Sequence, residues 1–475
     1  MADTLNRREL LTRVPPTLAT LHMLSGLWPQ QALAAPPAIS GKFLLKVHLD
    51  GAPDMRHIFA PKPESDATSP AYQFWKARSA VYGIDQDPNS WSNTFSALYH
   101  PVSFNGVDFG ILKEAGWLKR QWDLGRVAII NNVFVSGSRD HVFGSVVVQT
   151  GYTDLGATDR NRDGFGGRLA KALNASVVGF HGATQFCYAP HPSDPTSHTL
   201  DRVISVENAR SMGFHQSNGR RVNRVDTDGD AVVERSLESF YRGKDPQALH
   251  PAHRNFPTFE KLYRALGKQM TDRLAPIVTP DALVALAVRD GNVRNEFRAC
   301  YESLLCADIL NLRAGYIFYG GWDTHDAQLG KIRDLVIDLF GDNKALDSLF
   351  SSLEAHHPTA GDNMTLLLAG EFGRKLCANG SRGTDHGIGN SVLVIGKSVR
   401  GGLYGSMFPQ SEVGGGVNNV YGYDNAGGEI KGLTALEHVY GVIAEHIQQG
   451  IGTAVSPRMN AVMVESAGLL ANLFR

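Results

Sequence analysis

Cysteine is scarce in this sequence, and its spacing excludes two kinds of small scaffold. None of the cysteines has the CxxC spacing of a zinc knuckle. Their low number also excludes the dense disulfide framework that small secreted domains use in place of a large core. The 475 residues include only four of them: Cys187, Cys300, Cys306 and Cys377. The chain must therefore be stabilised mainly by buried apolar side chains.

The sequence also lacks an excess of charge of either sign. Its 46 basic and 47 acidic residues leave a formal charge of −1, and the basic residues do not gather into a stripe. Nucleic-acid binding is therefore not expected. The hydrophobic fraction of 43% is ordinary for a globular protein with a substantial core.

No stretch is apolar over the roughly 20 residues that a membrane-spanning helix needs, so no stable membrane span is expected. The N-terminal region instead combines Arg7 and Arg8 with a short, weakly apolar stretch and the small-residue sequence ALAA at Ala32–Ala35. This pattern is typical of a twin-arginine export signal, whereas three prolines disfavour an ordinary amphipathic helix. We expect residues 1–35 to be a signal read by the twin-arginine export machinery, and the mature chain to be periplasmic or secreted.

Short aliphatic runs alternate with helical patterns along the rest of the chain. The runs are KFLLKVHLDG, RVAIINNVFVSG, ASVVGF, RVISVE, GYIFYGGWD, MTLLLAGEF and SVLVIG. Helical patterns cover Phe259–Leu274, Asn292–Leu312, Ala327–Phe340 and Leu433–Ile447. This alternation predicts one α/β domain over residues 36–475, an αβα sandwich with a largely parallel central sheet. Residues 190–255, rich in proline, histidine and polar residues, are predicted to be an irregular insertion or cap.

Acidic and histidine residues are concentrated in the loops after the predicted strands. In a parallel sheet these loops meet at one edge, where ligands bind. The stretch GGWDTHDAQ places Asp323 and His325 two residues apart, so both can share one side of an extended backbone. The stretch EFGRKLCANGSRGTDHG adds Glu371, Asp385 and His386. One such pair could be a structural hydrogen bond, but two pairs in glycine-rich loops offer the donors that a divalent metal needs.

Two further stretches contain candidates, and the first of them has a structural alternative. The stretch HLDGAPDM supplies Asp50 and Asp54, which are either metal ligands or residues that form and cap a turn. The stretch SGSRDH supplies Arg139, Asp140 and His141. An arginine in such a loop could hold an anionic oxygen.

The motifs LDGAPD, SRDHVFGSVVVQTG, GGWDTHDAQ, EFGR and GTDHG…VIGKSVRGGLYG follow one another behind the arginine pair. In this order they resemble an exported bacterial family known as domain of unknown function 1501, and the resemblance covers nearly all of the mature chain. That family is similar to the alkaline phosphatase-like superfamily, which includes sulfatases and cofactor-independent phosphoglycerate mutases. The resemblance implies an alkaline phosphatase-like fold that holds one or two divalent metal ions, with zinc, manganese, magnesium and calcium all open.

The resemblance also implies roles for the candidate residues. His141 would be a general acid or would orient a ligand, and Arg139 or Arg374 would hold oxygens of an ester. Glu371 would be a ligand or a partner of one. The remaining metal ligands implied are Asp50 or Asp54, Asp323, His325, Asp385 and His386.

One position departs from the family pattern. The family commonly has RSHF, whereas this chain has RDHV, so Asp140 replaces the serine that could act as a nucleophile. An aspartate cannot act as an alkoxide. It could bridge metals while water attacks, form an acyl phosphate, or mark a relative without catalytic activity. The expected function is hydrolysis of a phosphate or sulfate ester, small or polymer-linked. The alternative is a non-catalytic metal-binding protein of the periplasm or cell surface.

Overall fold

The computed structural model describes residues 41–180, 182–194, 196–211, 239–240, 244, 256–408 and 430–475. The predicted signal, residues 1–35, and most of the predicted insertion, residues 190–255, lie outside this part of the chain. None of the helices in the described ranges combines the length and apolar character that crossing a membrane would require.

Each of the seven aliphatic runs forms a strand, so the strand prediction is confirmed. Those seven are β1, β5, β6, β9, β10, β11 and β12 of the following set. The described strands are β1 (Phe43–Leu49), β2 (Phe59–Pro61), β3 (Tyr99–Phe104), β4 (Val107–Leu112), β5 (Val127–Phe134), β6 (Ser176–Gly179), β7 (Ala189–Pro190), β8 (His198–Thr199), β9 (Val203–Ser205), β10 (Leu312–Tyr319), β11 (Met364–Ala369), β12 (Asn390–Ile395), β13 (Gly402–Tyr404) and β14 (Thr434–Ala435).

Helices follow most of these strands, which gives the chain its α/β alternation. The described helices are α1 (Met55–Ile58), α2 (Pro70–Tyr82), α3 (Pro88–Leu98), α4 (Gly116–Asp123), α5 (His141–Thr150), α6 (Phe165–Ala172), α7 (Phe256–Leu274), α8 (Asp281–Val284), α9 (Gly291–Leu304), α10 (Ala307–Leu310), α11 (Gln328–Phe340), α12 (Ala345–His356), α13 (Pro358–Asn363), α14 (Leu436–Ile447) and α15 (Gly452–Val455).

Within the described residues, nine strands form the central sheet in the order β13-β5-β12-β11-β1-β10-β6-β9, with β14 also beside β5. Strand β12 is antiparallel to both of its neighbours, and the other pairings are parallel. The fold is therefore mixed α/β with a largely parallel central sheet, as the alternation predicted.

Both faces of the sheet are buried, because side chains of the central strand β1 enter a different core cluster on each face. Along β1, Phe43 and Val47 join one core cluster, which includes side chains of α9, α11 and α12. Leu44 points the other way and joins a second cluster with side chains of α5, α6 and α14. Helices therefore cover both faces, which gives three layers.

Two details differ from the sequence prediction. The helix predicted over Asn292–Leu312 is shorter, because α9 ends at Leu304 and Leu312 pairs with Ser176 at the start of β10. The turn between them is made at Asn311, whose φ of 45° is left-handed. A separate antiparallel sheet, β2-β4-β3, was not predicted.

The reversed direction of β12 decides where its preceding loop lies. The connection from β11 to β12 leaves the sheet and returns to it at the same edge, because the two strands are antiparallel. This is also the edge at which β1, β5 and β10 end, since they run parallel to β11 in the sheet. The loops that carry most of the candidate residues therefore meet there.

Candidate metal centre

Two loops and the start of one helix bring these candidate side chains to this edge. Asp323 and His325 follow β10, and the β11–β12 connection carries Asp385 and His386. His141 is the first residue of α5, which begins after β5. These residues come from distant parts of the sequence, so the cluster forms only in the folded chain.

Three possible ligand atoms lie around the Nε2 atom of His386. This atom lies 2.8 Å from His325 Nε2, 3.1 Å from His141 Nε2 and 3.3 Å from Asp323 Oδ1. Asp323 also approaches the other two imidazoles, with Oδ1 3.0 Å from His325 Nε2 and Oδ2 3.5 Å from His141 Nε2. His141, Asp323, His325 and His386 are called the histidine cluster below.

Hydrogen bonds at the opposite ring nitrogens fix which atom of each imidazole is free. His386 Nδ1 is 2.9 Å from the carbonyl oxygen of Arg139, which can only accept, so Nδ1 carries the proton. His325 Nδ1 lies 3.2 Å from Asp385 Oδ1, and His141 Nδ1 lies 3.3 Å from a carboxylate oxygen of Glu371. In the neutral form each histidine therefore presents an unprotonated Nε2 to the cluster.

The arrangement of these possible ligand atoms is suited to holding a cation. Three lone pairs and one carboxylate oxygen at such separations repel each other unless a proton or a metal ion lies among them. Tetrahedral zinc, with bonds of 2.0–2.1 Å, keeps its donors about 3.3 Å apart. Five of the six separations are 2.8 to 3.5 Å, close to that value, and the donor atoms of His141, Asp323 and His386 all lie within 4.8 Å of one another. Nitrogen and oxygen donors with histidines oriented by acceptors suit a borderline divalent metal.

Asp323, His141 and His386 have shifted pKa values with distinct causes. Partial burial acts to raise the pKa of Asp323, but the hydrogen bond and charge of Arg374 outweigh it and lower this pKa. The hydrogen bond that His141 donates to Glu371 raises the pKa of His141. Burial and the charge of Arg374 lower the pKa of His386.

Arg374 is committed to the protein and not to an external anion. It is buried, and its guanidinium donates to the carbonyl oxygens of Ala52 and Gly51 at 2.8 and 2.7 Å and to that of Thr384 at 2.9 Å. It also pairs with Asp323. Arg374 therefore ties a ligand candidate to the loop after β1.

Glu371 and Asp50 form a second group with His48, whose donor atoms also lie within 4.8 Å of one another. Burial acts to raise the pKa of Glu371, but the hydrogen bond from His141 and the charge of His48 lower it to about 2. Burial and the charge of Glu371 raise the pKa of Asp50 to about 7. These two carboxyl groups therefore take up one proton as pH falls through about 7.

Asp54 does not join either group and makes a buried ion pair instead. Its side chain is 2% exposed and pairs with Arg78 through both carboxylate oxygens. Burial alone would raise the pKa of Asp54, but the charge and hydrogen bonds of Arg78 lower it overall. Of the alternatives Asp50 and Asp54, only Asp50 lies beside possible metal donors.

Asp140 is placed at the end of a helix. Its Oδ1 accepts a hydrogen bond of 2.8 Å from the backbone N–H of Phe143, so it is the N-cap of α5, and its side chain is exposed. The neighbouring Arg139 contributes its carbonyl oxygen to His386, a contact that a motif cannot predict. The catalytic roles of Asp140 and of the Arg139 side chain stay predictions.

Two features of the site were missed from the sequence. His48 precedes Asp50 by two residues on a strand, so the period of two could have placed both on one side. His141 was interpreted as a general acid or an orienting residue, whereas its Nε2 lies among the candidate ligands. Its position at a helix start beside a sheet edge was the available signal.

Comparison with known families addresses the resemblance drawn from the motifs. Residues 311–420 match the family described as Protein of unknown function (DUF1501). The predicted resemblance is thereby confirmed. The matched residues include Asp323, His325, Glu371, Asp385 and His386, but not His141. A search among curated proteins gave no significant match.

Several solved structures align with this chain at low similarity. A sulfatase from a glycosaminoglycan-metabolising locus of Bacteroides thetaiotaomicron is 8% identical, with 88% of this chain and 75% of that chain covered and a TM-score of 0.30. A mutant of the alkaline phosphatase PafA is 11% identical, with coverages of 73% and 64% and a TM-score of 0.28. A phosphonate monoester hydrolase from Silicibacter pomeroyi is 10% identical, with coverages of 77% and 70% and a TM-score of 0.24. No activity is carried over from alignments at these scores.

Proposed function

We propose that this protein is an exported, metal-dependent hydrolase of phosphate or sulfate esters, of the alkaline phosphatase-like type. The observation that carries the proposal is the convergence of three unprotonated Nε2 atoms and the Asp323 carboxylate. The order of the family motifs supports the reaction class. The substrate would be a small or polymer-linked ester that presents its anionic group at the open edge of the sheet.

In this proposal the histidine cluster holds one divalent ion, and zinc fits its donors best. The ion, when bound, would attract the ester oxygens and offset the charge that develops during hydrolysis. Asp385 and Glu371 would keep the protons of His325 and His141 on Nδ1, and Arg374 would hold Asp323 in place. Asp50, whose pKa is raised to about 7, would be a candidate proton donor to the leaving group. A second ion at His48, Asp50 and Glu371 is compatible with their spacing.

The experiment is metal analysis of the purified protein followed by a screen of phosphate and sulfate esters. We expect bound zinc, turnover that a chelator abolishes, and recovery on adding zinc. Asp323→Ala should lose both metal and turnover, whereas Asp326→Ala, at an exposed carboxylate paired with Lys331, should keep both. A wild-type protein that binds no divalent metal would refute the proposal.

A second candidate function is metal binding without catalysis. The observation that favours it is the position of Asp140, which stands where the family has serine and caps a helix. This candidate predicts bound metal but no chelator-sensitive turnover with any ester. The same screen therefore separates the two functions.

A further inference from the structure

A buried polar network lies beneath the histidine cluster and joins the two loops that supply most of its donors. Gln328, the first residue of α11, is fully buried. Its side-chain oxygen Oε1 accepts hydrogen bonds from the hydroxyl groups of Thr384 at 2.7 Å and Thr324 at 3.3 Å. Its side-chain nitrogen Nε2 donates a hydrogen bond to Asp54 Oδ2 at 2.8 Å. Every hydrogen-bonding group of this amide except one N–H therefore has an assigned partner.

Each of the two threonines is a sequence neighbour of candidate ligands. Thr324 lies between Asp323 and His325, and Thr384 directly precedes Asp385 and His386. Both threonines are fully buried. The side-chain amide of Gln328 thus contacts both loops through their buried threonines. The neighbouring residues of the same loops supply side chains to the histidine cluster.

The network continues from Gln328 to a buried ion pair. The Asp54 carboxylate that receives Gln328 is paired with Arg78, whose guanidinium also donates to the carbonyl oxygens of Lys375 at 2.9 Å and of Leu376. Those carbonyls belong to the same β11–β12 connection that carries His386. The loop is therefore held at two places by one ion pair.

The two loops also approach each other closely through their backbones. A Cβ atom at Gly383 would lie 2.2 Å from the carbonyl carbon of His325, so only glycine fits there. Asn379 donates to the carbonyl oxygen of His325 at 2.8 Å. Small changes in the contacts between the two loops would therefore move their imidazoles relative to each other.

We infer that Thr324, Gln328, Thr384 and Asp54 form a clasp that sets the spacing of the metal-binding loops, and that they are positioning residues of the site. This inference rests on the proposed metal centre. The 2.8 Å separation of His325 Nε2 and His386 Nε2 depends on how the two loops are joined, and the Thr384–Gln328–Thr324 hydrogen bonds are a buried side-chain link between them, beside the contacts of Asn379 and Asp385 with His325. Asp54, a predicted ligand, thus serves the site through its ion pair and amide contact.

The test compares zinc affinity and the visible absorption spectrum of the cobalt-substituted protein in three variants. Thr384→Val removes the hydroxyl and keeps the shape, and we expect zinc affinity to fall roughly 10-fold or more, with a changed cobalt spectrum. Thr384→Ser restores the hydroxyl and should restore both. The matched control is Thr279→Val, which removes a buried hydroxyl bonded to Glu302 at 2.6 Å.

The outcomes separate the clasp from the metal centre. Wild-type zinc affinity and spectrum in a folded Thr384→Val variant would overturn the clasp and leave the metal centre intact. Equal losses in Thr384→Val and Thr279→Val would overturn it as well, because general destabilisation would then explain both. A wild-type protein without zinc affinity would overturn the metal centre and the clasp together.

Discussion

At the scale of single residues, Asp140 serves the backbone of its own helix. Its carboxylate satisfies the N–H of Phe143, one of the donors that a helix start leaves unpaired. Serine can make the same bond, so the family residue and the aspartate are interchangeable as caps. The difference between them is chemical, because only serine brings a hydroxyl next to His141.

We therefore expect Asp140→Ser to keep the stability and the zinc content of the wild type and to raise turnover of a phosphate ester. Asp140→Ala removes the cap and should lower the free energy of unfolding by about 1 kcal/mol, with no gain in turnover. Denaturant unfolding and a phosphatase assay measure the two effects. Equal turnover of the serine and alanine variants would show that the hydroxyl adds nothing.

His57 is a buried residue whose charge opposes folding in acid. It is 1% exposed and stacks on Tyr82 with ring centroids 5.2 Å apart, and among the described residues it has no hydrogen-bond partner at either ring nitrogen. Burial lowers its pKa from 6.5 to about 4. Between those two pH values the unfolded chain binds the proton and the folded chain does not. The free energy of unfolding therefore decreases as pH falls through this window.

We expect His57→Phe to resist acid better than the wild type. The difference in unfolding free energy between variant and wild type should grow as pH falls from 6.5 to 4, reaching about 3 kcal/mol from the size of the shift. Urea unfolding at several pH values, with chelator present so that metal loss does not contribute, measures it. His356→Phe is the control, because that histidine is exposed. A pH-independent difference would contradict the prediction.

At the scale of elements, helix α5 is seated on the loop after β11 through a glycine. A Cβ atom at Gly144 would lie 2.7 Å from Glu371 Cβ and 3.1 Å from a ring carbon of Phe372. Gly144 is one helical turn from His141, so the seat of the helix and the position of the imidazole are linked. The close approach lets Glu371 reach His141 Nδ1.

Gly144→Ala should therefore displace α5 and weaken zinc binding. We expect a loss of about 1–3 kcal/mol in the free energy of unfolding, as for other overpacked sites, together with lower zinc affinity. Gly330→Ala in α11 is the control, since its Cβ would meet nothing within 4 Å, and it should stabilise by about 0.5–1 kcal/mol. Unchanged zinc affinity in Gly144→Ala would show that the seat of α5 does not position His141.

The elements also show what a sequence can predict here. Aliphatic runs located every predicted strand because each is buried on both faces, as β1 is. The antiparallel direction of β12 was not predicted, because a buried strand has the same apolar pattern in either direction. The Asp-x-His and Asp-His spacings located Asp323, His325 and His386, but the difference between Asp50 and Asp54 depends on Arg78, which lies in another helix.

At the scale of the whole molecule, the histidine cluster is assembled from distant segments. His141 and His386 are separated by 245 residues of sequence, and the ion pair of Asp54 and Arg78 adds a further segment to its support. An unfolded chain does not hold these donors together, so in the proposed function metal loading would follow folding. An export route that accepts folded proteins is consistent with this order of events, and Arg7 and Arg8 are the residues that suggest it.

We therefore expect the Arg7→Lys, Arg8→Lys double variant to remain in the cytoplasm as a precursor that already contains metal. The wild type should be cleaved within a few residues of Ala35 and recovered from the periplasm or the medium. Cell fractionation, N-terminal sequencing and metal analysis of both fractions measure this, and Arg13→Lys, outside the arginine pair, is the control. Normal export of the double variant would refute the twin-arginine signal. A cytoplasmic precursor that folds but contains no metal would instead place metal loading after export and separate the signal from the loading step.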